Sequence, residues 1–270
     1  MKINWFPGHM TKALRQMQGE IKGVDIVVYM LDARAPSSCL NPKFAEVIGD
    51  KSVLYVLNKA DLADEKKLDS RIVGVNERII KMNSTASGAK TKITAILREL
   101  ASSKIEKLEA KGVSPTIRAM VIGVPNSGKS TFINNMVGKT KAETGDKPGV
   151  TRAKVWLKVD KYLELLDTPG TLWPSFDSDE VACNLAFIGS IKSEVLDEVE
   201  LGLALLKKLF KEYPQLIEER YGLTELGQDP LGEIAEVRKY MLKKGEPDYE
   251  RTARAILDDF RKGRIGKITL

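Results

Sequence analysis

A chain of 270 residues with 43% hydrophobic and 30% charged side chains and only two cysteines has the length for a large domain and a small one. Its apolar content suits a sizeable core, which excludes a disulfide-stapled miniprotein and a disordered linker. The formal charge of +6 is uneven: residues 176–270 hold 15 Lys and Arg against 19 Asp and Glu, net −4, leaving 28 against 18, net +10, for the rest, a field that attracts phosphates or only solubilises the surface.

In chain order, the N-terminal MKINWFPGHM has one Lys and no apolar stretch of the kind a secretory signal needs. The longest apolar run, Val24–Leu31, contains Asp25 and is far short of the ~20 residues that span a bilayer, so a cytoplasmic protein without a membrane anchor is expected. Val24–Leu31, Val53–Leu57 and Ile117–Ile122 read as buried strands, and Val155–Leu166 as a hairpin split at Asp160-Lys161. Helices are predicted over Pro42–Gly49, Glu65–Gly74 and roughly Lys90–Lys111. Turn-rich breaks fall at Lys111–Pro115 and Gly145–Gly149. This is an α/β pattern of the doubly wound kind, with a mostly parallel sheet over residues 1–177. Beyond it only helical spacing is left, as in Leu201, Leu205, Leu209 and then Ala253, Ile256, Leu257, Phe260. Asp248 can cap the last helix and Gly263 can end it. Residues 178–270 therefore read as a small all-α domain.

Chemistry enters at Gly123-Val-Pro-Asn-Ser-Gly128-Lys129-Ser130, a complete G-x-x-x-x-G-K-S between a strand and a helix. Such a loop surrounds phosphates with backbone N–H groups, here from Asn126, Ser127 and Gly128 through to Thr131, with Pro125, which has no N–H to give, shaping the loop around them. Lys129 reaches the β/γ oxygens, and Ser130 ligates Mg²⁺. The loop alone leaves adenine and guanine open. Asn58-Lys59-Ala60-Asp61 after the strand Val53–Leu57 supplies a base reader, because the Asp61 carboxylate can accept from both the N1–H and the exocyclic amine of guanine. Asn58 and Lys59 secure the loop and the base face. Taken in isolation, the tetrapeptide is equally a helix-capping turn. Asp167-Thr168-Pro169-Gly170 ends another strand and offers a carboxylate to the Mg²⁺ shell, through water, and a glycine N–H to the γ-phosphate. Thr151 can close over the metal when GTP is bound.

The base-reading motif precedes the phosphate loop, the reverse of the order in Ras-like GTPases, so the domain reads as a circularly permuted Ras-like P-loop GTPase. WFPGHM, DARAP at 32–36, NKAD, GVPNSGKS, GVT, DTPG and a helical tail resemble the YlqF/RbgA family, ribosome biogenesis GTPase A, over essentially the whole chain. The resemblance implies a GTPase that uses GTP/GDP and Mg²⁺, acts in assembly of the large ribosomal subunit, contacts its rRNA and proteins through the basic domain and the tail, and binds no DNA. It implies slow turnover that ribosomal particles stimulate. It also places Asn83 and Ser84 where a backbone N–H meets guanine O6, and sets Asn126 where potassium-stimulated GTPases hold K⁺, or where an Asn only shapes the loop. Asp32 and Arg34 are a salt-bridged structural pair or an RNA or partner contact; Trp5-Phe6-Pro7 pack on the core or stack on bases.

One departure affects the chemistry. Thr171 stands where Ras-like enzymes carry the Gln that orients water, and its reach is too short to replace that side chain. His9, the chain's single histidine, lies just before the helix that follows the switch once the permutation is undone; it reaches the γ-phosphate side or is a surface residue. The catalytic candidates are therefore Lys129, Thr151, Gly170 and His9. A P-loop ATPase or kinase, and an RNA-binding module holding GTP as a structural ligand, are the competing readings.

Overall fold

The computed structural model describes residues 8–68, 77–86, 88–138, 156–192 and 196–270. The chain divides into two compact units between residues 175 and 176, with Thr269 grouped with the first.

The first unit is built on a six-stranded sheet. Its strands are β1 (Ile26–Asp32), β2 (Ser52–Asn58), β3 (Glu77–Lys81), β4 (Ile117–Gly123), β5 (Trp156–Lys158) and β6 (Leu163–Asp167), arranged in the order β3-β2-β1-β4-β6-β5. All pairs are parallel except β5 with β6. The central strand IVVYMLD is buried at every position, as a strand covered on both faces must be. Between β1 and β4 the connection reverses direction across the sheet, the place where α/β folds open a crevice beyond the strand ends. Register brings the functional ends together there: Asp32 lies opposite Asn58, Met30 opposite Gly123, and Val121 opposite Asp167.

The helices of this unit are α1 (Gly8–Glu20), α2 (Pro42–Ile48), α3 (Ala89–Leu100), α4 (Ser102–Glu109) and α5 (Lys129–Val137). The single helix predicted over Lys90–Lys111 is two, broken at buried Ala101 (φ −99°, ψ 8°). Ser102-Ser103, poor at continuing a helix, follow the break, and Lys104 is drawn to Asp25 Oδ2 (2.6 Å) and the Thr116 carbonyl (2.9 Å). The helix predicted at Glu65–Gly74 is absent over its described part. Asp64 instead accepts from Lys66 N (3.0 Å) through its side chain and from Lys67 N (3.1 Å) through its carbonyl, closing a turn, which is the local bonding by which Asp competes with helix. Residues 69–76 lie outside the described residues. The hairpin turn uses the same device, Tyr162 N donating to Asp160 Oδ1 at 2.7 Å.

The second unit carries α6 (Asp179–Phe187), α7 (Glu198–Glu212), α8 (Pro214–Tyr221), α9 (Pro230–Arg238) and α10 (Tyr249–Arg261). Ser178, Asp197, Asp229 and Asp248 accept from backbone N–H groups at the starts of α6, α7, α9 and α10, satisfying donors the helices cannot pair themselves. Gly263, at φ +69°, follows the end of α10. Leu201, Leu205 and Leu209 of α7 and Ala253, Ile256, Leu257 and Phe260 of α10 are buried. Gly202 lets these two helices approach so closely that a Cβ there would sit 2.8 Å from Ala253 Cα. The buried Asp259 carboxylate accepts from Arg220 Nε (2.8 Å), Tyr221 Oη (3.1 Å) and Arg264 Nε (2.6 Å), tying α8 to α10. No described helix is long and apolar enough to cross a membrane.

Candidate functional site

The loop 123–130 joins β4 to α5 at the crevice. Gly123 (φ +152°) has no room for a Cβ, which would lie 2.5 Å from the Met30 carbonyl, and at Gly128 (φ +93°) one would run into Asn58 Nδ2. Glycine is required at both, by conformation and by space. Lys129 is buried, and its ammonium donates to the carbonyls of Gly123 (3.1 Å) and Val124 (2.8 Å). Burial pushes its pKa down to about 8, against the pull of Asp167. Ser127 is buried, while Ser130 and Thr131 are half-buried on the first turn of α5.

The loop of Asn58-Lys59-Ala60-Asp61, the candidate base reader, follows β2. Asn58, buried, donates through Nδ2 to the Ser127 carbonyl (2.8 Å), and its Oδ1 accepts from Ser84 N (2.9 Å) and Oγ (2.7 Å). One amide thus joins three loops that are far apart in sequence. Lys59 holds a left-handed conformation (φ 59°, ψ 33°) and donates to the Asn126 carbonyl (2.9 Å) and to Asp32 Oδ2 (2.9 Å). Asp61 is exposed. Asn83 accepts from Thr85 N (2.9 Å) and Oγ1 (2.6 Å), which folds its loop back on itself. Asn135 of α5, which no sequence motif marks, donates to the carbonyls of Ser84 (2.9 Å) and Ala86 (3.3 Å) and supports the same loop.

Asp32 and Arg34 form a buried ion pair, 0% and 1% exposed. Arg34 bonds Asp32 through Nε (2.8 Å) and Nη2 (2.6 Å), and its backbone N adds a third bond (3.1 Å). Arg34 and Lys59 together hold the Asp32 carboxyl well below the ordinary carboxylate range although burial opposes it. The structure thus decides for the salt-bridged pair and against an exposed RNA contact.

Beyond β6, Asp167 Oδ2 lies 3.5 Å from Ser130 Oγ, and its buried Oδ1 meets no partner among the described residues. Burial raises the pKa of this carboxyl. A buried carboxylate oxygen left unpaired is costly, and with the other carboxylate oxygen beside the Ser130 hydroxyl the pair offers the oxygen donors of a hard-cation site, so Ser130 and Asp167 fit Mg²⁺. Gly170 passes so close to the phosphate loop that a Cβ would be 2.7 Å from Pro125 Cα and 2.9 Å from Lys129 Nζ. Thr171 is fully buried, its backbone N donating to the Gly123 carbonyl (3.3 Å) and its carbonyl accepting from Asn41 Nδ2 (3.4 Å); Asn41 is another contact that no motif signals. His9 is exposed on the first turn of α1, beside buried Met10, whose sulfur receives the Leu172 N–H at 3.3 Å. The helix bearing His9 is therefore joined to the switch segment, while the imidazole itself faces outward. Thr151 and Trp5-Phe6-Pro7 lie outside the described residues.

A family model described as 50S ribosome-binding GTPase matches residues 118–220, a stretch that begins in β4 and leaves the loop at 58–61 outside it. Ribosome biogenesis GTPase A of Bacillus cereus is 41% identical over 100% of this chain and 93% of its own length. That of Priestia megaterium is 39% identical over 100% and 96%. The fold is similar to that of GNP-bound YlqF from Thermotoga maritima, with a TM-score of 0.63, 24% identity, and coverage of 96% of this chain and 97% of that one.

Proposed function

The chain belongs to the ribosome biogenesis GTPase A family, and from that premise we propose that it is a GTP-driven switch in assembly of the large ribosomal subunit, acting in the cytoplasm on the subunit or its precursor through rRNA and ribosomal proteins. As a member of a GTPase family it converts GTP to GDP and phosphate. The observation that carries the site assignment is the three-way bond of Asn58, which fastens the base-reading loop to the phosphate loop at Ser127 and to the loop at Ser84. A base and a phosphate chain gripped by loops so joined are held in one pose.

In this reading Asp61 takes the two guanine donors, Lys59 covers the base, and the Asn83-Ser84 loop faces O6. The backbone from Pro125 to Thr131 wraps the phosphates. Ser130, with Asp167 through water and Thr151, would hold Mg²⁺, which when bound neutralises phosphate charge. Asn126 is the candidate K⁺ ligand. Lys129 holds positive charge against the β/γ oxygens where negative charge shifts during cleavage, and the Gly170 N–H meets the γ-phosphate. Catalysis by such groups is positioning and charge stabilisation. His9, exposed on the helix that Met10 joins to Leu172, is the candidate for the attacking water and would have to turn from its outward pose to reach it.

Asp61→Asn tests the base site. It should weaken GTP and favour xanthine nucleotide, because xanthine offers a carbonyl where guanine offers an amine. Loss of a charge-assisted bond costs about 1.5–3 kcal/mol. Titration with both nucleotides decides: unchanged GTP affinity without gain for xanthine nucleotide removes the assignment.

A further inference from the structure

The DARAP motif stands outside every nucleotide-binding role assigned above, yet its acid is wholly buried and bonded to the base-reading loop. Asp32 ends the central strand opposite Asn58. Its Oδ2 receives both Arg34 Nη2 (2.6 Å) and Lys59 Nζ (2.9 Å), and its Oδ1 receives Arg34 Nε (2.8 Å). Arg34 fixes the carboxylate with two parallel bonds, a geometry Lys cannot reproduce. The carboxylate in turn fixes an ammonium whose other described bond goes to the Asn126 carbonyl in the phosphate loop. Lys59 does this from a left-handed backbone that side chains other than Gly, Asn and Asp seldom adopt. A flexible four-carbon stem has many rotamers, so an anchor on its ammonium sets where the stem lies over the nucleotide.

We propose that Asp32, oriented by Arg34, is a positioning residue for nucleotide binding: it holds Lys59 across the phosphate loop in the pose that receives the guanine nucleotide. The residues after β1 thus act on the ligand through Lys59 and without touching it. The proposal rests on the reading of Lys59 as a nucleotide-holding residue, and the test separates the two.

GDP affinity per folded molecule and steady-state kcat and KM are measured for Asp32→Asn, Lys59→Met and the double variant in the full chain. Asp32→Asn should weaken GDP about tenfold or more and raise KM while kcat at saturating GTP stays near that of the parent. In the Lys59→Met background it should have no further effect on affinity, since two residues acting through one contact are not additive. Unchanged affinity on Asp32→Asn, or the same loss in both backgrounds, overturns the proposal and leaves Asp32 a purely structural acid, visible only in the thermal midpoint. If Lys59→Met alone leaves GDP binding intact, the reading of the base site fails and the proposal with it. Because Asp32→Asn strands the buried Arg34 and the half-buried Lys59, Arg34→Lys is the second variant. It keeps the charge and loses the paired geometry, and it should weaken GDP in the Lys59 background only; equal loss in both backgrounds again overturns the proposal.

Discussion

Lys129 is a cation stored under its own loop, bonded to two carbonyls, and if a phosphate takes their place, as proposed, its lowered pKa of about 8 should make nucleotide binding depend on pH. The charged form binds phosphate. Below pH 8 the free protein already carries that proton, so affinity should be flat; above it, binding must take a proton up, and affinity should fall by up to about tenfold per pH unit. Calorimetry of GDP in buffers of differing ionisation enthalpy checks this as net proton uptake above pH 8 and little below. His9 presents a different test. If it positions the attacking water, His9→Ala should lower particle-stimulated kcat by roughly 10²-fold, a usual size for acid–base assistance, with GTP affinity nearly intact. Thr171→Val is the control, since it keeps shape and deletes only the hydroxyl. Full stimulated turnover in His9→Ala on intact particles would mark the histidine as structural. Lys129 and Asp61 stand out as candidates in the sequence because each proposed chemistry needs that residue at that spacing. The bonds of Asn41 and Asn135, and that of Asp32 to Lys59, do not, because ordinary polar side chains near strand and helix ends look alike until the fold brings their partners close.

At the scale of elements, apolar patterning located the strands well, since a strand covered on both faces must be nearly all Val, Ile, Leu and Met. It failed where local and tertiary demands compete. The break at Ala101 separates α3, which buries Ile93 and Leu97, from α4, which has no fully buried residue, and a period measured across both does not reveal the change. The turn at Asp64 defeats a helical pattern with two hydrogen bonds. Packing between α7 and α10 was equally invisible, because a glycine inside an apolar helix reads as a weakness, whereas Gly202 is a contact point. Gly202→Ala, which improves helix propensity, should nevertheless destabilise the helical unit by about 1–3 kcal/mol, because the new methyl meets the backbone of α10 rather than a side chain that can yield. A lowered midpoint in the thermal loss of helical ellipticity is the expected result. A raised midpoint would show that α7 and α10 separate easily.

For the whole molecule, the charge division yields a prediction that no single residue does. Residues 1–175 carry +10 and residues 176–270 carry −4, so affinity for ribosomal particles should fall steeply as salt rises, in the manner of phosphate neutralisation, while GTP affinity changes far less. Sedimentation across a salt series reads both, and flat particle binding would exclude an RNA contact through the basic part. Motif order made the permutation legible without coordinates, but the sheet order shows what it means for a growing chain. Translation delivers β1, β2 and β3 first, and these lie side by side at one end of the sheet. The half that carries Asn58-Lys59-Ala60-Asp61 can therefore assemble while the half that carries the loop 123–130 is still unmade. Until β4 emerges, β1 presents a bare edge of N–H and C=O groups, the surface on which stray strands pair. A stall in synthesis between Lys111 and Ile117 would hold the nascent protein at its most adhesive, and arrival of the fourth strand turns that edge into the middle of the sheet.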